Sequence, residues 1–284
     1  MIRRTFQLIS GIGPWREKDL WTRGIQFWDD FPVPGGEIGI SEKVDQQARE
    51  RIDECRAALA AQDLSRLAKL LPPREHWRLY AEFAEEALFF DVEADGASAQ
   101  KPSVVSVYDS SGLGVFLRGR NLEDLPARLS GRRLWVTFNG SCFDVPILRS
   151  YFETLQLPAV HLDLRFLAQR VGITGGLKDI EEHVGIARPP HLRGLNGWDA
   201  VGLWRTYQEE RAIEALRFLV EYNLYDAFQL RSLAAILYNR AADRLACDER
   251  VEVFDRGELL YDVSKLLLAL DAAPVASPET RPDR

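Results

Sequence analysis

The sequence predicts an α/β fold, a mixed β-sheet flanked by helices with a helical N-terminal extension, and three observations predict it. A short apolar run at residues 87–93 opens a stretch in which strand-like and helix-like patterns alternate. After Gly175-Gly176 the pattern is helical alone, with its best 3.6-residue periodicity over residues 212–238. Before residue 87 the chain reads as helical and irregular, broken at Pro32-Val33-Pro34-Gly35-Gly36 and Leu71-Pro72-Pro73.

The elements follow in order. Residues 87–93 (ALFFDVE) are apolar without alternation, as expected of a strand covered on both faces. Residues 104–108 and 114–117 read as two strands paired across the turn Asp109-Ser110-Ser111-Gly112. A polar helix at 121–129, a buried strand at 134–138 and a helix to about Phe152 come next, and His161-Leu162-Asp163-Leu164 fits another short strand. The expected domains are a helical extension (1–86), a central α/β domain (87–245) and a C-terminal helix with a Pro- and charge-rich disordered tail (246–284).

Composition narrows the function classes. The 284 residues are 46% hydrophobic and 10% aromatic, enough for a substantial core. No apolar run is long enough to span a membrane, and the start has no secretion-signal core. Cys55, Cys142 and Cys247 are far apart and odd in number, which fits neither a disulfide framework nor a zinc motif and points to the cytoplasm. A net charge of -7 argues against a generic nucleic-acid coat protein but not against carboxylates that hold cations.

Carboxylates are where the chemistry gathers. Asp91 and Glu93, at i and i+2 of a strand, share one face and repel unless a cation joins them; alternatively the strand has ended and both are solvated. Tyr222 and Asp226, at i and i+4, share a helix face, which an ordinary amphipathic helix explains equally well. In Phe138-Asn139-Gly140-Ser141-Cys142-Phe143-Asp144, Ser141 and Asp144 fit a capping box and Asn139 a turn.

Taken together and in this order, Asp91-x-Glu93, Phe138-Asn139-x-x-x-Phe143-Asp144 and Tyr222-x-x-x-Asp226 resemble the three exonuclease motifs of the DEDD superfamily, tyrosine branch. With Gly176-Leu177-Lys178-Asp179-Ile180-Glu181, they look like the YprB-like ribonuclease-H-like family of predicted exonucleases, over about residues 87–240. The resemblance implies a ribonuclease-H-like fold and 3'-to-5' hydrolysis of single-stranded DNA or RNA. It implies two divalent cations, Mg2+ or Mn2+, on Asp91, Glu93, Asp144 and Asp226. Tyr222 would orient the attacking water, Asn139 and Phe143 would contact the terminal nucleotide, and Lys178 would neutralise phosphate. Many relatives have threonine after the first-motif glutamate; here Ala94 stands in its place, a departure that bears on a substrate contact and not on the metal site. A low-turnover nucleic-acid-binding or scaffold module, or a structure-specific endonuclease, would use the same fold.

Other motifs add less. Gly11-Ile12-Gly13, in a segment of local net charge about +3, resembles half of a helix-hairpin-helix phosphate contact; the competing reading is a cap that packs Trp15, Trp21 and Trp28. Residues 172–178 lack the spacing of a phosphate-binding P-loop. His76, His161, His183 and His191 are scattered, Trp198 reads as a packing residue, and Asp163 and Asp199 read as caps or surface charges.

Overall fold

The computed structural model describes residues 1–32, 42–97, 100–254 and 262–272, with backbone alone at 42–44 and 269–272. The break at 33–36 and the tail from Pro274 lie outside the described residues. Eleven α-helices are described: α1 (Pro14–Thr22), α2 (Glu42–Ala60), α3 (Leu64–Leu70), α4 (Tyr80–Phe83), α5 (Leu125–Leu129), α6 (Asp144–Tyr151), α7 (Leu164–Arg170), α8 (Leu177–Val184), α9 (Gly197–Glu210), α10 (Ile213–Arg244) and α11 (Val263–Ala272). The described residues form five strands, β1 (Ala87–Ala94), β2 (Pro102–Asp109), β3 (Gly112–Leu117), β4 (Leu134–Thr137) and β5 (Val160–Asp163).

The strands form one mixed sheet in the order β3-β2-β1-β4-β5. The β2–β3 hairpin closes where the sequence predicts, and β2 lies antiparallel to β1. β4 and β5 run parallel to β1, with α6 in the crossover between them. The helix expected over 121–129 splits into a 3-10 turn (Leu122–Asp124) and α5, because Asn121 is held by Leu117 N–H and Val115 C=O and Pro126 fits only a first helical turn.

Both faces of this sheet are covered, which explains the unbroken apolar run. Leu88, Phe90, Val92 and Ala94 of β1 face Leu125, Leu129, Ile147 and Leu148 of α5 and α6. On the opposite face Val104, Val115 and Leu117 pack with Trp204 of α9, Leu216 and Leu219 of α10, and Leu267 of α11. Asp91 and Glu93 therefore point toward the α9–α10 side, alternate to Phe90 and Val92. The β1–β2 register shifts between Glu93 and Ala94, just beyond the two acids.

Residues 1–84 and 238–251 make a second compact unit. Its buried centre is ionic: Glu17 accepts from Thr5 Oγ1, Phe6 N, Gln7 Nε2 and Arg78 Nη2 at 2.7–2.9 Å, and Arg78 Nε also reaches Glu75 at 2.7 Å. Gly11-Ile12-Gly13 is a turn leading into α1, preceded by a single 3-10 turn (Ile2–Arg4) rather than a full helix. Trp28 is buried and donates to Thr5 O, and Trp21 donates to Arg4 O. Trp15 does not pack as the cap reading expects; it is 78% exposed, because its place on α1 faces away from Glu17 and Leu20.

Phe90 stands edge-on to Trp135, ring centroids 5.3 Å apart, and both are fully buried. Phe90→Ala should lower unfolding free energy by about 3–5 kcal/mol, read as a reduced urea midpoint with unchanged slope. A loss below about 1 kcal/mol would mean that this layer is not close-packed.

Candidate active site

Three carboxylates from two distant parts of the chain meet at the end of β1. Oxygens of Asp91, Glu93 and Asp226 all lie within 4.8 Å of one another. Glu93 and Asp226 are buried and Asp91 half-buried. The strand supplies the first two on one face, and α10 supplies Asp226 together with Tyr222 and Asn223, at i-4 and i-3 on the same helix face. Asn223 Nδ2 donates to Asp91 Oδ2 at 2.7 Å and orients that carboxylate.

The junction after β4 is built differently from its capping-box reading. Asn139 adopts a left-handed backbone, φ 62°, and leads into Gly140, where a Cβ would lie 2.1 Å from Thr137 Oγ1. Asp163, at the end of β5, accepts from Asn139 N at 2.8 Å, Ser141 N at 3.0 Å and Arg165 N at 3.1 Å. With its amide taken by Asp163, Ser141 does not cap α6; Phe143 occupies the N-cap position without a side-chain bond. Asp144 begins the helix, and its Oδ1 accepts from Val92 N at 2.9 Å, tying α6 to β1. It is buried against Asp91 but outside the group of three carboxylates.

Two cations enter from the α8 segment. Lys178 donates to the Tyr222 hydroxyl oxygen and lies 3.5 Å from Asp226 Oδ2. Arg188 sets Nη2 2.5 Å from Asp226 Oδ1, while its Nε and Nη2 reach the two oxygens of Glu181 at 2.6 and 2.8 Å. Nothing in the local sequence marks Arg188, and the sequence assigns no role to Glu181 or Asn223 although both fall in segments that carry the resemblance; the pairings of Arg188 arise when the loop after α8 folds back onto α10. Asp199 forms a capping box with Asn196 at the start of α9, as expected of a cap. Trp198 departs from expectation: it is 82% exposed, because the first turn of α9 turns Ala200 and Trp204 into the core and leaves position 198 outside.

Crowding sets the electrostatics. Burial, and then the Asp226 charge, push Asp91 up to about 7. Burial, with Asp91 as the next cause, holds Glu93 and Asp144 well above the usual carboxylate range. Burial raises Glu181 to about 7 despite Arg188 beside it. Tyr222 is raised above its ordinary value by burial and by Asp226, so its hydroxyl keeps its proton. An all-oxygen donor set in which crowding and burial oppose the ionisation of Asp91 and Glu93 suits a hard divalent cation, whose charge would reverse that opposition.

Two cavities flank Asp91. One, of about 500 Å³, is lined by Asn139, Arg165, Gln169, Thr174, Gly176 and Asp226 among others. The other, of about 540 Å³, is lined by Glu93, Asn139, Phe143, Asp144 and Trp198 among others. Asn139 thus borders both, its Oδ1 accepting from Arg165 Nη1 at 2.7 Å.

The raised values carry a sign. Asp91 sits above its unfolded value near 4, so its protonation stabilises the fold at low pH, and that contribution is lost as pH rises from about 4 through about 7. His161, lowered by burial, opposes this by favouring the higher pH. In EDTA the thermal midpoint should therefore fall between pH 5 and 8 by more in the wild type than in Asp91→Asn, and a divalent cation should restore it at pH 8. Equal pH profiles for the two proteins would refute the crowded-acid account.

A family model described as the RNase H superfamily matches residues 88–238, more than half of the chain. No curated protein and no solved structure matches it. The match spans the whole sheet and the three carboxylates at the end of β1. With the fold and that cluster, it shows that the chain belongs to the RNase H superfamily.

Proposed function

We propose that this protein is a metal-dependent nuclease of the YprB-like, tyrosine-bearing DEDD type, a 3'-to-5' exonuclease acting on single-stranded DNA or RNA. The observation that carries the reading is the meeting of Asp91, Glu93 and Asp226 within 4.8 Å, with Tyr222 one helical turn from Asp226. Residues 87–245 are proposed as the exonuclease domain, 1–86 as its extension and 246–284 as a C-terminal segment.

Mg2+ or Mn2+ held by Asp91, Glu93 and Asp226, with Asp144 as the fourth acid of the motif, would supply an activated water and stabilise the leaving 3'-oxygen. Tyr222 accepts from Lys178 and retains its own proton, so its hydroxyl is a donor that can position a water rather than a base that consumes one. Asn223 keeps Asp91 in one orientation. Asn139, bordering both cavities, and Phe143, lining one, would hold the terminal nucleotide, while Lys178 places a positive charge where a phosphate would approach.

A second reading has its own support. Arg188 already pairs with Asp226, so one of the carboxylates that the mechanism needs is engaged by the protein itself. That arrangement favours a nucleic-acid-binding module with low turnover.

Product analysis separates these readings. The wild type, incubated with 5'-labelled single-stranded DNA and RNA in Mn2+, Mg2+ or EDTA, should give a metal-dependent ladder that shortens from the 3' end. Asp91→Ala should abolish the ladder with the fold intact. Tyr222→Phe should slow it by roughly 10- to 100-fold, the effect of losing a positioning partner. Internal fragments without end dependence would identify an endonuclease. Metal binding without cleavage would select the binding module, and an active Asp91→Ala protein would sink the assignment.

A further inference from the structure

We propose that Trp198 is a stacking platform for a nucleobase of the single-stranded substrate. The inference rests on the nuclease reading above and deepens it by assigning a binding residue outside the motifs that resemble the exonuclease family.

Among the described residues, the large apolar side chains most open to water are Trp198, at 82%, and Trp15, at 78%. Leaving an indole in water is unfavourable, and exposed aromatic surface beside a cleft marks a place of contact. Trp198 lines the cavity of about 540 Å³ whose wall includes Asp91, Glu93 and Asp144, a volume suited to a small-molecule-sized group. Phe143 lines it too, so two rings border the acids.

The platform is held in place. Asn196 Oδ1 accepts from Trp198 N at 2.8 Å, and Asn196 N donates to Asp199 Oδ2 at 2.9 Å, which fixes the first turn of α9. One turn on, Ala200 and Trp204 are buried in the core. Gly96, just past β1, has φ 71°, and a Cβ there would come within 2.7 Å of Val201 Cγ1; this close approach keeps the start of α9 against the end of β1. A ring carried on a fixed backbone loses less freedom when it binds than one on a mobile loop.

The chemistry of the wall selects the occupant. The acids repel bare phosphate, while an indole face offers no sequence-reading hydrogen bond and attracts any neutral π-system. A base adjoining a phosphate that would be held at the acids once divalent cations are bound meets both conditions, and such stacking tolerates every base.

The test uses the full-length protein and short oligothymidylate and oligouridylate, fluorescently labelled at the 5' end, in Mg2+. Phosphorothioate linkages throughout keep them bound and uncut. Trp198→Ala should weaken binding by roughly 10- to 100-fold with an unchanged thermal midpoint, and Trp198→Phe should recover most of it. One abasic position near the 3' end should cost the wild type a similar factor and cost Trp198→Ala nothing further. Trp198→Ala that binds as tightly as the wild type, or responds to every abasic position as the wild type does, would overturn the platform and leave the nuclease reading standing. A wild type that binds neither polymer would overturn both.

Discussion

The confinement of like charges at the end of β1 is the constraint around which the central unit is organised. A strand covered on both faces has no solvated side on which to place an acid, yet Asp91 and Glu93 stand on it. The faces alternate, so neither side chain can reach the α5–α6 layer without displacing Phe90 or Val92 from the core. Both acids are therefore directed at α10, where the helix presents Asp226 and not an apolar residue. Replacing Asp226 by leucine would remove one source of the repulsion and leave Asp91 still acting on Glu93 and Asp144.

Those groups can be understood as responses to the same crowding. Asn223 and the Val92 amide each engage one acid with a neutral donor, which orients a carboxylate without cancelling its charge. Lys178 and Arg188 cancel charge at Asp226, Arg188 at Glu181 as well, and neither forms an ion pair with Asp91 or Glu93, which burial raises. Asp163 is separated from the cluster by being fully occupied with backbone amides of the junction after β4 and of α7. An acid that accepts several amides is a structural clamp; one whose neighbours are other acids is available to a cation.

Much of this was legible in the sequence, for identifiable reasons. The positions of the strands followed from short apolar runs and Gly-containing turns, since β1, β2 and β4 are covered on both faces and have no alternation to misread. The long helix was legible because its period persists over many turns, and it ran past the expected end to Arg244. The acids were legible as motifs because their spacing is local to each element. What escaped were residues whose partners lie far off along the chain: Arg188 in a loop of no regular pattern, Asn223 hidden beside a more conspicuous tyrosine, and Trp198. The last misled because a tryptophan near a helix start is ordinarily a core residue, and only the rotation of α9 decides otherwise. Ser141 misled for a related reason, since its capping spacing was local while Asp163, which takes its amide, was not.

Charge balance gives the site its direction. Among the described residues, Asp91, Glu93, Asp144, Asp226 and Glu181 gather around two cations, Lys178 and Arg188, so the ionised cluster carries an excess of negative charge. Protonation relieves that excess at low pH, but it also removes the ligands a cation would use. Divalent charge relieves it without that loss and turns the local field positive, which is the condition for holding a phosphodiester next to carboxylates. Aromatic walls suit the rest of such a ligand, because a base brings no charge of its own to disturb the balance. On the proposed reading, an acidic floor, two basic groups that meet at Asp226 and an exposed indole lining the adjoining cavity would be complementary to a nucleotide only when cations are bound, and repellent to it when they are not.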